Sequence, residues 1–247
     1  MKNSTKLLFV GLAIILAVLI VGAGYIYNKY HEMKSVYSST LVHKEMNTFR
    51  DFNALHLEVS SDIELMQGDF KVQVEGDSLS ISGIKWTISD SVLTIDEEST
   101  MSRNNNFTIG PKIKLSMPDL KFLSLESSGS LTMAQRFDCD SLNLRLSGSG
   151  DIISQIHGNY INIELIGSGM VTNHGEIKSA ALLVKGSGDI FMGDDPIETC
   201  NLELVGSGNM HFNCSGKLTG VINGSGSIYN SGSAKSEVVV NGSGEVH

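Results

Sequence analysis

The sequence is poor in proline, cysteine and tryptophan, and the shortage of cysteine excludes two classes of protein. Its 247 residues include only 3 Pro, 3 Cys and 1 Trp. The cysteines, Cys139, Cys200 and Cys214, are odd in number and widely spaced, which fits neither a disulfide-rich domain nor a Cys-x-x-Cys metal site. We therefore predict three small, buried thiols, with a Cys200–Cys214 bridge left open, and a core position for Trp86.

Clustered positive charge is also missing. The chain has 18 Lys+Arg against 27 Asp+Glu, a formal net charge of −9, and no run of five basic residues. Proteins that bind nucleic acid need grouped Lys and Arg side chains to neutralise phosphates. The charge pattern therefore argues against a nucleic-acid partner.

The first 26 residues contain no acidic side chain, and they include one long uncharged run. Leu7–Ile26 is rich in Leu, Ile, Val and Ala and follows Lys2 and Lys6. A helix of about 20 such residues spans roughly the 30 Å hydrocarbon core of a bilayer. We predict a transmembrane signal anchor at 1–26 and a polar tether at 27–47. A cleaved signal peptide is the alternative, although its apolar stretch is usually shorter.

Helical periodicity is absent after the tether, where the chain instead repeats Gly-Ser-Gly. The tripeptide occurs six times, after a degenerate Ser-Ser-Gly copy. Successive closing glycines are separated by 21, 19, 19, 20, 18 and 18 residues. These glycines are Gly129, Gly150, Gly169, Gly188, Gly208, Gly226 and Gly244. A fixed period of this length is typical of repeat architectures.

Alternating apolar and polar residues precede most of these tripeptides, as in Leu142–Leu146 and Ile161–Leu165. Alternation with period 2 predicts half-buried strands. Nineteen residues at about 3.3 Å each trace roughly 60 Å, which fits one coil with three faces of about five or six residues. We predict a parallel β-helix over 48–247, with irregular first coils and a cap at 48–126 and regular repeats at 127–247. An antiparallel meander with one hairpin per period is the alternative.

Glycine at every corner has two physical reasons. It accepts a positive φ, and it lets backbones stack closely where a side chain would not fit. We further predict that the corner serine hydroxyls hydrogen-bond from coil to coil. Ser60–Ile63 is interpreted as a worn copy of the corner at Ser149–Ile152.

No set of residues forms a catalytic or metal-binding pattern. Asp151 and Asp189 follow equivalent corners but are two coils apart, with Met170 between them. Asp194 and Asp195 are adjacent and would point to opposite faces of a strand. His157, His174 and His211 lie at different distances from their corners and cannot form one column. We therefore predict no catalytic, cofactor-binding or metal-binding residues, and no cofactor.

The sequence resembles the DUF2807 family of auto-transporter adhesin, head GIN domain proteins. The resemblance rests on Phe49–Phe52, Ser116–Leu120 and the Gly-Ser-Gly series, and it covers about residues 48–247. It implies a right-handed parallel β-helix in a bacterial envelope protein with an adhesion-like role. It supplies no catalytic motif. The last coil is unfinished after Gly244, which predicts an exposed strand edge there.

We therefore predict a non-enzymatic protein of the bacterial cell envelope, a binding or structural module. Its single N-terminal helix would anchor it in the membrane, with the β-helix facing the periplasm or exterior and contacting a glycan or an envelope protein. Two alternatives remain: a polysaccharide-active β-helix enzyme, such as a lyase or hydrolase, and an assembly or sensory partner of other membrane proteins.

Overall fold

The computed structural model describes residues 18–31, 41–46, 49–97 and 111–247. The chain divides into two units, Met1–Leu41 and Val42–His247. In the first, residues 18–31 form a helix, α1. Within the described ranges, no helix combines the length and apolar character needed to cross a bilayer. Most of the predicted anchor Leu7–Ile26 lies outside the described residues, which include it only from Val18 onward.

The second unit is built almost entirely of strands. Its one helix in the described residues is the short α2, Ser78–Ser82. The strands are β1 Leu41–Met46, β2 Ala54–Glu58, β3 Asp62–Gln67, β4 Lys71–Asp77, β5 Ile84–Ser89, β6 Val92–Glu97, β7 Lys112–Met117, β8 Phe122–Ser127, β9 Ser130–Thr132, β10 Phe137–Asp138, β11 Ser141–Gly148, β12 Asp151–Ser154, β13 Ile156–Gly167, β14 Met170–Asn173, β15 Ile177–Gly186, β16 Asp189–Met192, β17 Ile197–Gly206, β18 Asn209–Phe212, β19 Cys214–Gly224, β20 Ser227–Asn230 and β21 Lys235–Gly242.

These strands form a β-solenoid, as the repeat predicts. One sheet has ten strands in the order β1-β4-β7-β3-β9-β12-β14-β16-β18-β20, and the other has eleven in the order β21-β19-β17-β15-β13-β11-β8-β2-β6-β5. We call them the first and second sheet. From β8 onward every pairing within them is parallel. Parallel pairing between successive periods excludes the antiparallel meander.

Each coil has three unequal faces, so the expectation of equal faces is wrong. In one coil, β12 supplies a four-residue face to the first sheet. The chain then enters β13, whose first residues Ile156 and His157 pair with β10 as a narrow third face. From Tyr160 to Gly167, β13 pairs with β11 in the second sheet. Each coil therefore contributes a short strand to the first sheet and a long strand to the second.

The two glycines of each corner are needed for different reasons. The first one takes a positive φ, for example 128° at Gly167 and 134° at Gly186. The closing glycine is required for space, because a Cβ on Gly169 would overlap the carbonyl oxygen of Gly150. Both roles match the sequence argument.

The predicted ladder of serine hydroxyls is wrong for the Gly-Ser-Gly corners, although Ser60 Oγ and Ser127 Oγ lie 3.2 Å apart at the first, degenerate corner. Backbone amides bond the corner instead: Ser168 N–H donates to Gly148 O over 2.9 Å, and Ser187 N–H donates to Gly167 O over 2.9 Å. Within residues 111–247, no corner serine hydroxyl bonds to another. Backbone hydrogen bonds already join successive corners, and the side chains of Ser168 and Ser187 are exposed to solvent.

The core lies between the two sheets and is made of stacked apolar columns. One column runs through five successive coils in register, and every member is at most 3% exposed. Its members are Leu123, Leu144, Ile163, Leu182 and Leu202. Burying one such side chain contributes about 1.5–3 kcal/mol, so the repeat itself stabilises the fold.

The N-terminal part follows a different spatial order from its sequence order. β2 lies between β6 and β8 in the second sheet, and β3 lies between β7 and β9 in the first. Asp62 of β3 and Asp151 of β12 each pair with Ser130, which confirms Ser60–Ile63 as a corner of the repeat type. Antiparallel β4 and β5 lie beyond this coil, and β1 extends the first sheet from within the segment predicted as a tether.

At the other end of the solenoid, β21 is the last strand of the second sheet. Its Val239 is 60% exposed. The chain then returns over β20, where Ile228 N–H donates to Glu245 O and His247 N–H donates to Ile228 O, each over 2.9 Å. The exposed edge predicted after the last corner is therefore present at β21.

Candidate functional site

One groove among the described residues follows the narrow third face. It has a volume of about 700 Å³ and is open to solvent along its length. We call it the bend groove, because it lies where each coil turns from the first sheet to the second. Its polar and charged lining residues are Arg136, Asp138, Asp140, His157, Asn159, Glu176, Lys178 and Asp195.

One end of the bend groove holds an oriented ion pair. The Arg136 guanidinium contacts the Asp138 carboxylate at 2.6 Å through one terminal nitrogen and at 2.8 Å through Nε. This hydrogen bond lowers the pKa of Asp138 and raises that of Arg136. The side chain of Gln67 fixes the backbone beneath, since its Nε2 donates to Asp138 O and its Oε1 accepts from Asp138 N–H, each over 2.9 Å.

The middle of the groove is held by contacts between successive coils. Asn159 Nδ2 donates to Asp140 Oδ1 over 2.5 Å, and Asn159 N–H donates to Asp140 O over 3.0 Å. Glu176 N–H donates to His157 Nδ1 over 3.3 Å. These side chains are exposed or half-buried but oriented, which is the property needed to recognise hydroxyl and charged groups of a ligand.

Two groups of the groove, Cys139 and Asp138, lack the properties of a catalytic nucleophile or general acid. Its thiol, Cys139, is buried, and burial raises its pKa to about 11, with the negative charges of Asp119, Asp138 and Asp140 adding to the effect. A thiol in that state is not a nucleophile at neutral pH. Asp138 carries the lowered pKa of a paired carboxylate, the opposite of what a general acid requires.

A second surface is a column of stacked rings on the first sheet. Phe191, His211, Tyr229 and His247 follow one another with ring centroids 4.6, 4.5 and 4.7 Å apart and planes within 10° of parallel. We call it the aromatic column. A groove of about 350 Å³ runs beside it, and Asp194, Asn230 and Ser231 are among its lining residues. The ring faces contact one another, so the column offers ring edges to a ligand.

A third cluster lies on the outer face of the second sheet. His56 Nε2 is 2.8 Å from Glu58 Oε1, and a ligand atom from each of His56, Glu58 and Glu126 falls within 4.8 Å of the others. Parallel register brings these side chains together from β2 and β8. An imidazole and two carboxylates form a donor set that metal ions accept. The expectation that the chain holds no metal ion stays a prediction at this cluster.

The acidic residues weighed in the sequence do not lie together in the structure. Met170 pairs with Asp151 on one side and with Asp189 on the other, so no carboxylate ladder forms there. Asp194 and Asp195 lie in a bend instead of a strand. They line different grooves, Asp194 beside the aromatic column and Asp195 in the bend groove.

The predicted burial of the cysteines is confirmed, and that of Trp86 is confirmed in part. All three cysteines are buried and free. Trp86 is partly buried and packs against the core, with its ring centroid 5.8 Å from that of Phe49.

Sequence reasoning missed the aromatic column, although the sequence contains its signal. Counting three residues on from each closing glycine gives Phe191, His211, Tyr229 and His247. His211 and His247 share this position, two corners apart. The bend groove carries a weaker signal, because its residues fall in the irregular segment between two strands.

Comparisons with known proteins agree with this architecture. A putative adhesin from Bacteroides fragilis NCTC 9343 superposes with a TM-score of 0.76 at 22% identity, covering 85% of this chain and 97% of that one. A putative lipid binding protein from Parabacteroides distasonis gives 0.68 at 19% identity, covering 84% and 96%. A putative adhesin from Parabacteroides merdae gives 0.63 at 18% identity, covering 85% and 97%. At these identities the similarity establishes the fold alone.

A search of curated protein sequences found no match. The family model described as "Putative auto-transporter adhesin, head GIN domain" matches residues 51–234, which include the bend groove and most of the aromatic column. The resemblance seen in the sequence is thereby confirmed, and this chain belongs to the DUF2807 family.

Proposed function

We propose that this protein is a non-enzymatic binding module of the bacterial cell envelope that recognises a polar glycan through the bend groove. The observation that carries the proposal is the row of oriented polar side chains, from Arg136 to Asp195, along an open groove on a rigid stack of coils. Glycans are recognised through many directed hydrogen bonds, and oriented donors and acceptors lose little entropy on binding.

The charge of the groove suits a glycan that carries both hydroxyl and ionic groups. Arg136 and Lys178 offer positive donors, whereas Asp140, Glu176 and Asp195 offer negative acceptors. A ligand lying along the coils would contact equivalent positions about every 4.8 Å, the spacing of paired strands.

Envelope localisation is supported by membership of an adhesin-like family. Anchoring through Leu7–Ile26, with the solenoid outside the cytoplasm, rests on the sequence pattern. Cell fractionation tests it: the full chain should sediment with membranes and resist salt extraction, and a variant lacking 1–26 should not. Recovery of the full chain in a soluble fraction would contradict the anchor.

Binding is tested with the full chain in detergent on an array of neutral, acidic and amino-sugar glycans. We expect saturable binding that Asn159→Ala and Glu176→Gln weaken by about tenfold each, the effect of losing roughly 1.4 kcal/mol. Asn223→Ala is the matched control, because Asn223 is an exposed asparagine that accepts one coil-to-coil hydrogen bond, from Asn241, away from the groove. Equal loss in all three variants, or no binding by the parent chain, would contradict the proposal.

A further inference from the structure

The outer face of the second sheet carries a row of hydrogen-bonding side chains with one member missing. Parallel register places Asn143, Asn162, Ala181, Asn201 and Thr219 side by side on five successive strands, β11 to β19. Each of these side chains except that of Ala181 can both donate and accept a hydrogen bond. The alanine methyl can do neither, so it interrupts the row.

The hydrogen bonds on the two sides of Ala181 run in the same direction. Asn162 Nδ2 donates to Asn143 Oδ1 over 3.3 Å, and Thr219 Oγ1 donates to Asn201 Oδ1 over 3.3 Å. In both pairs the later coil donates to the earlier one. Asn162 Oδ1 therefore remains as an acceptor and Asn201 Nδ2 as a donor, one on each side of Ala181, and neither has a partner among the described residues.

The interruption has the length of one hydrogen-bonded amide. Asn162 and Asn201 are two strand spacings apart, which is roughly 9.6 Å. In a complete row, a single amide would lie midway and would bond to both neighbours. A secondary amide of a ligand offers the same two groups, because its planar trans bond holds the N–H and the C=O in opposite directions.

A groove of about 220 Å³ lies at the interruption, and its lining includes Ala181, Asn201 and an adjacent row of Tyr160, Ser179 and Thr199. Tyr160 is 42% exposed and has no ring partner among the described residues. Ser179 Oγ and Thr199 Oγ1 lie 2.6 Å apart. An aromatic ring and two hydroxyls are suited to a sugar, which presents both apolar C–H groups and hydroxyls.

We propose that this site, the amide gap between Asn162 and Asn201, binds the acetamido group of an N-acetylated sugar. The ligand N–H donates to Asn162 Oδ1, and the ligand carbonyl accepts from Asn201 Nδ2, which completes the row. The sugar ring lies over the adjacent row, beside Tyr160. The amide gap shares no lining residue with the bend groove, so the inference holds whether or not that groove binds a glycan.

The ligand chemistry is tested by calorimetric titration of the full chain in a detergent that has neither sugar nor amide groups. We expect saturable binding of triacetylchitotriose, and at least tenfold weaker binding of cellotriose, which has a hydroxyl in place of each acetamido group. Equal affinity for the two sugars, or no binding of either, would overturn the proposal. Tighter binding of an N-acetylated trialanine amide would also overturn it, because the amide would then come from a peptide.

Ala181→Asn supplies the missing amide from the chain itself. It should complete the row and abolish the binding of triacetylchitotriose, while the melting temperature stays equal to that of the parent or rises, since one more hydrogen bond joins the coils. Loss of binding without loss of stability separates occupation of the amide gap from unfolding. Binding that survives in this variant would overturn the proposal and leave the bend-groove proposal untouched.

Asn201→Asp tests the donor alone. The aspartate keeps the shape of the side chain and still accepts from Thr219, but it cannot donate to the ligand carbonyl, so we expect about a tenfold loss of affinity. Asn241→Asp is the matched control, because Asn241 is also exposed and also gains a negative charge, but lies in another row, where it donates to Asn223. Equal losses in the two variants would overturn the proposal.

Discussion

His211 and Tyr229 stack face to face, with ring centroids 4.5 Å apart and ring planes 7° from parallel. The two residues are 18 positions apart in the chain and are paired directly in β18 and β20. The separation of the rings therefore equals the strand spacing, so the repeat length alone brings them together. Tyr229 also stacks on His247 at 4.7 Å, which makes it the shared member of two ring pairs.

Replacing Tyr229 with alanine should destabilise this end of the solenoid. Each stacked pair contributes about 0.5–1.5 kcal/mol beyond the area it buries, so the loss of two pairs should lower the free energy of unfolding by roughly 1–3 kcal/mol. Urea unfolding followed by circular dichroism measures it. Tyr160→Ala is the control: Tyr160 is similarly exposed and has no ring partner among the described residues, so the prediction fails if both variants lose the same stability.

Closing glycines should tolerate no side chain. A Cβ on Gly169 would overlap the carbonyl oxygen of Gly150, which the strand pairing holds in place. We expect Gly169→Ala to lower the free energy of unfolding by about 4 kcal/mol or more, among the largest single-site effects. Gly193→Ala is the matched control, because a Cβ there lies 3.4 Å from its nearest neighbour. Similar melting curves for the two variants would show that the corner assignment is wrong.

Asn173 should be among the few polar residues that the core requires. It is fully buried, accepts hydrogen bonds from Ile156 N–H at 2.8 Å and from Ser154 Oγ at 3.0 Å, and donates to Ile156 O at 3.2 Å. Asn173→Ala leaves these groups unsatisfied, with a loss of about 2–4 kcal/mol in the free energy of unfolding. Asn162→Ala is the control, because it removes one solvent-exposed hydrogen bond, from Asn162 Nδ2 to Asn143 Oδ1. It should change the free energy of unfolding by less than about 1 kcal/mol in the same denaturation experiment.

Stability should fall at alkaline pH partly because of Cys139. Burial first, and then neighbouring aspartates, raise the pKa of this thiol from 9.0 to about 11, so the unfolded chain loses the proton before the folded one does. A group whose folded pKa is raised stabilises the fold fully below its unfolded value, and that contribution disappears as pH rises through the folded value. The free energy of unfolding should therefore decline between pH 9 and 11.

Other groups titrate in the same window, so the share of Cys139 is isolated by comparison. In Cys139→Ala the decline should be shallower than in the parent chain when urea midpoints are plotted against pH. Thiol reaction with iodoacetamide at neutral pH should also be slow at Cys139 until the chain unfolds. Parallel pH profiles for the two proteins would contradict the assignment.

The regular half of the fold can be predicted from the sequence, because its contacts recur with the same period as the sequence repeat. One period of about 19 residues places each residue beside its own counterpart, as Leu144 beside Ile163, so apolar columns and corner glycines appear directly in the sequence. The coil hydrogen bonds were harder to predict. Ser168 bonds through its backbone amide, which every residue has, and the sequence cannot show that its hydroxyl is not used.

The irregular half was readable only as strands. No local pattern indicates that β2 lies between β6 and β8, because this order depends on pairing between strands that are far apart in the sequence. The same holds for the bend groove, where Asp140 and Asn159 meet through the stacking of two bends. The handedness of the coil rests on the family resemblance, together with the general preference for right-handed parallel crossovers.

The sequence by itself determined the repeat, the family and the burial of the cysteines, because each follows from a period that places like residues in register. Only the tertiary structure decided between parallel and antiparallel pairing, and only it gave the unequal faces, the order of the first coils and the oriented side chains of the bend groove. These features depend on where the chain bends out of the repeat. Such bends are set by packing between residues of different coils, which no single period encodes.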